Sequence, residues 1–146
     1  MPGNVTLKQG TTATLESSGG TLATASVVAA SSTYDNSAND NFWAGFELNT
    51  GFAVAPSVGT SIELYLVPAL DGSNYADVDT GTPTMPLSCF VGSFAVVKSQ
   101  TGAQRLVITG IPLMARLYKA YVYNKAGQNM SSGWTLKLFP DFEQYT

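Results

Sequence analysis

The chain has no histidine, a single cysteine and few charges. Without histidine there is no serine–histidine triad, no cysteine–histidine dyad and no imidazole ligand for zinc, and the commonest general base is missing. Acid–base chemistry would fall to the ten carboxylates, Glu16, Asp35, Asp40, Glu47, Glu63, Asp71, Asp77, Asp79, Asp141 and Glu143, most of them in turn-like segments. A glycosidase needs two such groups facing across a cleft, and a small carboxylate-based glycosidase is one reading this leaves in place. Cys89 on its own excludes an intrachain disulfide and a cysteine-rich metal site. Its setting, Leu87-Ser-Cys-Phe-Val91, reads as a small buried hydrophobe.

Charged residues make up 12% of the 146, about half the usual share in soluble proteins. Surface polarity must therefore come from Ser, Thr, Asn and Gly. A surface with few long charged side chains suits a protein packed against others, and it suits a secreted β-domain equally well. The net charge is −3 and the seven basic residues form no run, so nucleic-acid binding is not expected. The start, Met1-Pro-Gly-Asn-Val-Thr6, lacks the basic and apolar regions of a signal peptide. No apolar run approaches the roughly 20 residues of a membrane-spanning helix. Neither export by that route nor a membrane partner is expected.

What is present is strand periodicity punctuated by turn residues. In Ser61-Ile-Glu-Leu-Tyr-Leu-Val-Pro68, Ile62, Leu64 and Leu66 share one face, with Glu63, Tyr65 and Val67 on the other. Pro68 is expected to end that strand, and Asp71-Gly-Ser-Asn74 to turn the chain. Further strands are expected from Thr21 to Ser32, Phe42 to Leu48, Leu87 to Val97, Gln104 to Ile111, Arg116 to Asn124 and Trp134 to Phe139. Only Ser17 to Ala30 and Met114 to Ala120 offer any case for helix.

Seven or eight strands separated by Gly, Pro and Asn turns predict an all-β protein, an antiparallel two-sheet β-sandwich of jelly-roll-like form. The expected core is Val27, Phe46, Leu48, Ile62, Leu64, Leu66, Phe90, Phe94, Leu106, Ile108, Val122, Leu136 and Leu138. Residues 21–146 make one sandwich domain. Residues 1–20 form an N-terminal arm or an edge strand, rich in Gly, Thr and Ser, with Val5, Leu7 and Leu15 as its apolar marks.

The loop from Asp35 to Asn41 and the segment from Asp71 to Asp79 carry oxygen donors that suit calcium, but neither has the spacing of a helix-loop-helix calcium loop. Both read as turns whose side chains bond their own backbone. No catalytic, cofactor or metal residue is assigned. The aromatics Trp43, Tyr118, Tyr121, Tyr123 and Trp134 suggest a sugar-stacking platform, against the plainer reading that tyrosines decorate half-buried strands.

The segments Tyr65-Leu-Val-Pro-Ala-Leu-Asp-Gly-Ser-Asn-Tyr-Ala-Asp77, Val91-Gly-Ser-Phe94, Gly110-Ile-Pro-Leu113 and Tyr118-Lys-Ala-Tyr-Val-Tyr-Asn-Lys-Ala-Gly127 follow one pattern. A strand ends in Leu-Val-Pro before an Asp-Gly-x-Asn-Tyr loop, and an Ile-Pro-Leu entry leads into a Tyr-Lys-rich strand. Over residues 60 to 127 the chain resembles small β-sandwich structural proteins of tailed bacteriophages. It departs from them where Met114-Ala115 replaces the second proline of the entry.

The resemblance implies a non-enzymatic virion component on the capsid surface. Such a decoration, or cement, protein has the major capsid protein as partner and stabilises capsomer joints. The alternative is a tail or fibre module that binds host glycans through Tyr121, Tyr123, Trp43 or Trp134. The partner-binding candidates are Val5, Leu7, Leu15, Tyr121 and Tyr123. A homo-oligomer is expected, a trimer among the forms considered, because the sparsely charged exterior raises little barrier to self-association. Deleting residues 1–16 is expected to leave a folded domain with weaker attachment.

Overall fold

The computed structural model describes residues 4–39 and 41–145, which form nine β-strands and one 3-10 turn. The strands are β1 (Val5–Gln9), β2 (Ala13–Gly19), β3 (Val27–Asp35), β4 (Asn41–Thr50), β5 (Ser61–Ala69), β6 (Phe90–Ala95), β7 (Gln104–Pro112), β8 (Leu117–Lys125) and β9 (Trp134–Tyr145). All pairings are antiparallel. One sheet runs β1-β9-β4-β7, with β2 also paired to β9, and the other runs β3-β8-β5-β6.

Leaving β1 aside, β2 pairs with β9, β3 with β8, β4 with β7 and β5 with β6. That is one long eight-stranded hairpin rolled into two facing sheets, the jelly roll that the strand spacing predicts. β2 packs beside β3, and β6 beside β7, so the lateral edges of the two sheets meet. Neither proposed helix forms, because both segments belong to strands and their connections.

Alternation explains the core. Ile62, Leu64 and Leu66 of β5, with Val122 of the neighbouring β8, share one buried cluster with Phe46 and Leu48 of β4, Leu136 and Leu138 of β9 and Leu106 of β7 in the facing sheet. Full burial of each such side chain contributes about 1.5 to 3 kcal/mol. Leu15, Leu22, Phe52, Met130 and Trp134 join the same cluster.

Four expectations change. Pro68 does not end β5, which continues to Ala69 opposite Tyr118 and Leu117. On the side away from β8, β6 pairs with β5 only as far as Tyr65 and the next bridge is Ala69↔Tyr75, so Pro68 lies in an unpaired stretch of that edge, where a residue without an N–H is tolerated. Phe90 is not in the core and remains 47% exposed. The register passes from Leu64↔Gly92 to Tyr65↔Phe90, so a bulge at Val91 breaks the alternation that would place Phe90 with Phe94. Phe90 instead meets Tyr65 edge-on, with ring centroids 5.5 Å apart. The strand expected from Leu87 starts at Phe90, after a 3-10 turn over Leu87–Cys89. Ile108 is only partly buried, packed against the core from β7.

Glu16 joins the two sheets. One carboxylate oxygen accepts the N–H groups of Ser17 and Ser18 at 3.0 and 3.1 Å, and the other accepts Ser31 N–H of β3 at 3.0 Å. Burial acts to raise its pKa, but the hydrogen bonds from Ser18, Ser31 and Ser17 outweigh it and hold the group below the ordinary value. A carboxyl with a depressed folded pKa stabilises fully above its unfolded pKa, and that stabilisation disappears as pH falls through the folded value. Glu16→Gln is therefore expected to lower unfolding free energy by about 1–3 kcal/mol at pH 7. The deficit should shrink below pH about 4.5, the ordinary value. Urea titrations at pH 7 and pH 3 check this, and an equal deficit at both would contradict it.

Candidate functional site

The outer face of the four-stranded sheet is covered. Val27, Tyr65, Val67 and Tyr121 form a second apolar cluster on that face, and Tyr75, Val78, Met85 and Cys89 pack over it from the segment between β5 and β6. The turn starting this cover is held by Asp71, which accepts N–H from Ser73 and Asn74 and the Asn74 side-chain amide. The Asn74 and Ser73 bonds pull its pKa down to about 2. Gly72 follows at φ +80°, a conformation suited to glycine.

Beside the cover lies a row of charges and rings. Lys119 Nζ sits 5.9 Å from the centre of the Tyr75 ring and 5.7 Å from that of Tyr121. Lys125 Nζ stands 4.8 Å from the Tyr123 ring and bonds Glu63 at 2.9 Å. Tyr65 donates to the other Glu63 oxygen at 2.7 Å. Burial, followed by the Glu63 carboxylate, pushes the Tyr65 phenol well above its ordinary range.

The five aromatics do not share a surface. Trp134 (2% exposed) and Tyr118 lie in the main core, Tyr121 lies under the cover, Tyr123 is half-buried, and Trp43 is 43% exposed on the other sheet. The five partner candidates are likewise dispersed. Leu15 is 1% exposed in the main core, so its side chain cannot meet a partner in the folded domain, and removal of residues 1–16 would open that core. Val5 and Leu7 are exposed on β1. Of the arm, Met1 to Gly3 lie outside the described residues.

Several of the acids are engaged by neighbouring groups. Asp35 accepts from Ser37, and Asp79 accepts from Gly81 and Thr82. Glu47 pairs with Arg105 at 2.6 Å. Among the described residues no three His, Cys, Asp or Glu side chains gather to hold a metal. Asp40 lies outside them.

Sequence reasoning missed an apolar groove of about 630 Å³ lined by Leu66, Pro68, Leu70, Phe90, Pro112 and Met114, among others. It forms where the end of β5, the start of β6 and the β7–β8 connection converge, which no single segment announces. Leu70 and Met114 are both strongly exposed at it. Arg116 lies beside it and donates to Leu70 O at 3.3 Å. Both proline segments singled out in the sequence, Leu66-Val-Pro68 and Ile111-Pro112, contribute to this one groove, with Met114, where the chain departs from the pattern, at its border. In comparison with known proteins, no family, no curated protein and no solved structure matches the chain.

Proposed function

We propose that the chain is a non-enzymatic structural protein of a bacteriophage virion, a capsid decoration protein that binds the outer surface of the head and stabilises capsomer joints. Jelly rolls serve capsid, lectin and cupin functions alike, so the reading rests on the surface. The observation that carries it is the groove at which the two segments of the phage-like pattern meet, bordered by exposed Leu70 and Met114. Apolar side chains grouped at a depression are the kind of surface that gains most from desolvation against a partner. Scarce charge lets such contacts be repeated by symmetry without accumulating repulsion.

The test is attachment of purified protein to undecorated heads, with electron microscopy to locate it. We expect density on the shell. The Leu70→Glu and Met114→Glu double variant, unchanged in melting, is expected to attach roughly tenfold or more weakly, the effect of about 1.4 kcal/mol. Density on the tail, with glycan binding abolished by Trp43→Ala, would replace this reading with the tail module. Absence from the particle would end both.

A further inference from the structure

β1 differs from every other strand. All five of its residues are exposed, and its packing is against β9, in the register Val5↔Tyr145 to Gln9↔Asp141. The other lateral edges of the sandwich lie beside the facing sheet, β2 by β3 and β7 by β6. The side of β1 away from β9 therefore presents backbone N–H and C=O groups that meet no strand among the described residues.

Such an edge is a template for one more strand. Proteins that avoid this outcome place proline, bulges or several charges on the edge. Val5-Thr-Leu-Lys-Gln9 has neither proline nor glycine and only one charge, Lys8. Its pairing with β9 shows no register shift.

We infer that two copies of this chain pair through β1, antiparallel about a two-fold axis at Leu7, so that their five-stranded sheets become one continuous sheet. The register follows from charge and side-chain alternation. Centred on Leu7, the pairing sets Leu7 against Leu7, Val5 against Gln9, and Lys8 against Thr6. Centring on Lys8 would oppose two like charges. Leu7 (69% exposed) and Val5 (50% exposed) share a strand face, on which Leu7 meets its counterpart and Val5 meets Gln9 of the second copy, beside the Glu143 and Tyr145 positions of β9. This pairing goes beyond attachment to a shell and requires no particle.

Two five-residue strands form a contact far smaller than the roughly 1,600 Å² of a standard interface. The association is therefore reversible and best read by trapping. In a Cys89→Ser background, Leu7→Cys is expected to form an intermolecular disulfide under mild oxidation, because directly opposed residues sit about 4.5–5.5 Å apart at Cα. Gln9→Cys alone should stay reduced, while a mixture of Val5→Cys and Gln9→Cys proteins should yield the mixed dimer. Leu7→Lys should abolish concentration-dependent sedimentation without lowering the melting temperature. A protein that sediments as a monomer at every concentration and gives no Leu7→Cys dimer overturns the inference. Self-pairing of Gln9→Cys overturns the register. Attachment to heads that survives Leu7→Lys, with dimerisation lost, separates this contact from the shell contact. A monomer that attaches to heads only when β1 is intact would assign the edge to a capsid strand and refute self-pairing.

Discussion

Trp134→Ala is expected to remove about 3–5 kcal/mol of unfolding free energy, the range for deleting a fully buried aromatic. The indole lies in the main core, and its Nε1 donates to Gly20 O at 2.8 Å. Total stabilities are about 5–15 kcal/mol, so the variant should approach the threshold of folding. Gly19 supplies a second handle on the same contact, since a Cβ there would lie 2.0 Å from Trp134 Cε2. The ring is rigid and enclosed, so Gly19→Ala must displace it, at a cost of about 1–3 kcal/mol or more. The two effects should not add. Once the indole is gone, its space accepts the methyl group, and the double variant should be more stable than the sum of the single costs predicts. Urea unfolding followed by circular dichroism gives the cycle, and strict additivity would show that the close approach of Gly19 is not what fixes this site.

The β5 periodicity made the sandwich legible, because Ile62, Leu64 and Leu66 alternate onto one face that must be buried against another layer. One face found the opposite sheet and the other found Tyr75, Val78 and Met85. That second cover was not legible, since Tyr75 to Met85 carries no period and folds back only through the Asp71 turn. Phe90 illustrates the opposite failure. Alternation placed it with Phe94, and a one-residue bulge, which leaves no mark in composition, reversed its face. Leu15 read as part of a glycine-interrupted arm because Gly10, Gly19 and Gly20 surround it. In the fold, Gly19 gives access to Trp134 rather than flexibility. Val5 and Leu7 were singled out as apolar marks in a polar segment, and they remain on the surface. The groove at Leu70 and Met114 was hidden for another reason: its walls come from separate segments spread between Leu66 and Tyr118, brought together by strand register.

The polar loop between β3 and β4 looked like a set of surface oxygens, yet Asn36 is fully buried and Asn41 nearly so. Asn36 Nδ2 donates to Asn41 O and Met114 O, each at 2.9 Å. Its Oδ1 accepts Asn41 Nδ2 at 3.0 Å and, more weakly, the Tyr34 hydroxyl at 3.4 Å. Asn41 Nδ2 also donates to the Tyr34 hydroxyl at 2.9 Å. One side chain thus ties the β3–β4 turn to the β7–β8 connection, whose Met114 borders the groove. Asn36→Ala removes the amide that donates to Asn41 O and Met114 O and one of the two acceptors of Asn41 Nδ2, although Met114 O keeps the Arg116 N–H and Asn41 Nδ2 keeps the Tyr34 hydroxyl, and stability is expected to fall by about 1–3 kcal/mol. Asn36→Asp keeps the acceptor oxygen but sets a carboxyl against Asn41 O and Met114 O. Burial and those carbonyls raise its folded pKa above the unfolded value near 4. The neutral acid can still donate one hydrogen bond, so the Asp variant loses least below pH about 4 and progressively more as pH rises and the unfolded chain ionises. The Ala deficit should stay flat over the same range. Thermal melting of both variants from pH 3 to pH 8 tests this, and a pH-independent deficit for Asn36→Asp would mean that the side chain reaches solvent and does not hold the loop from within.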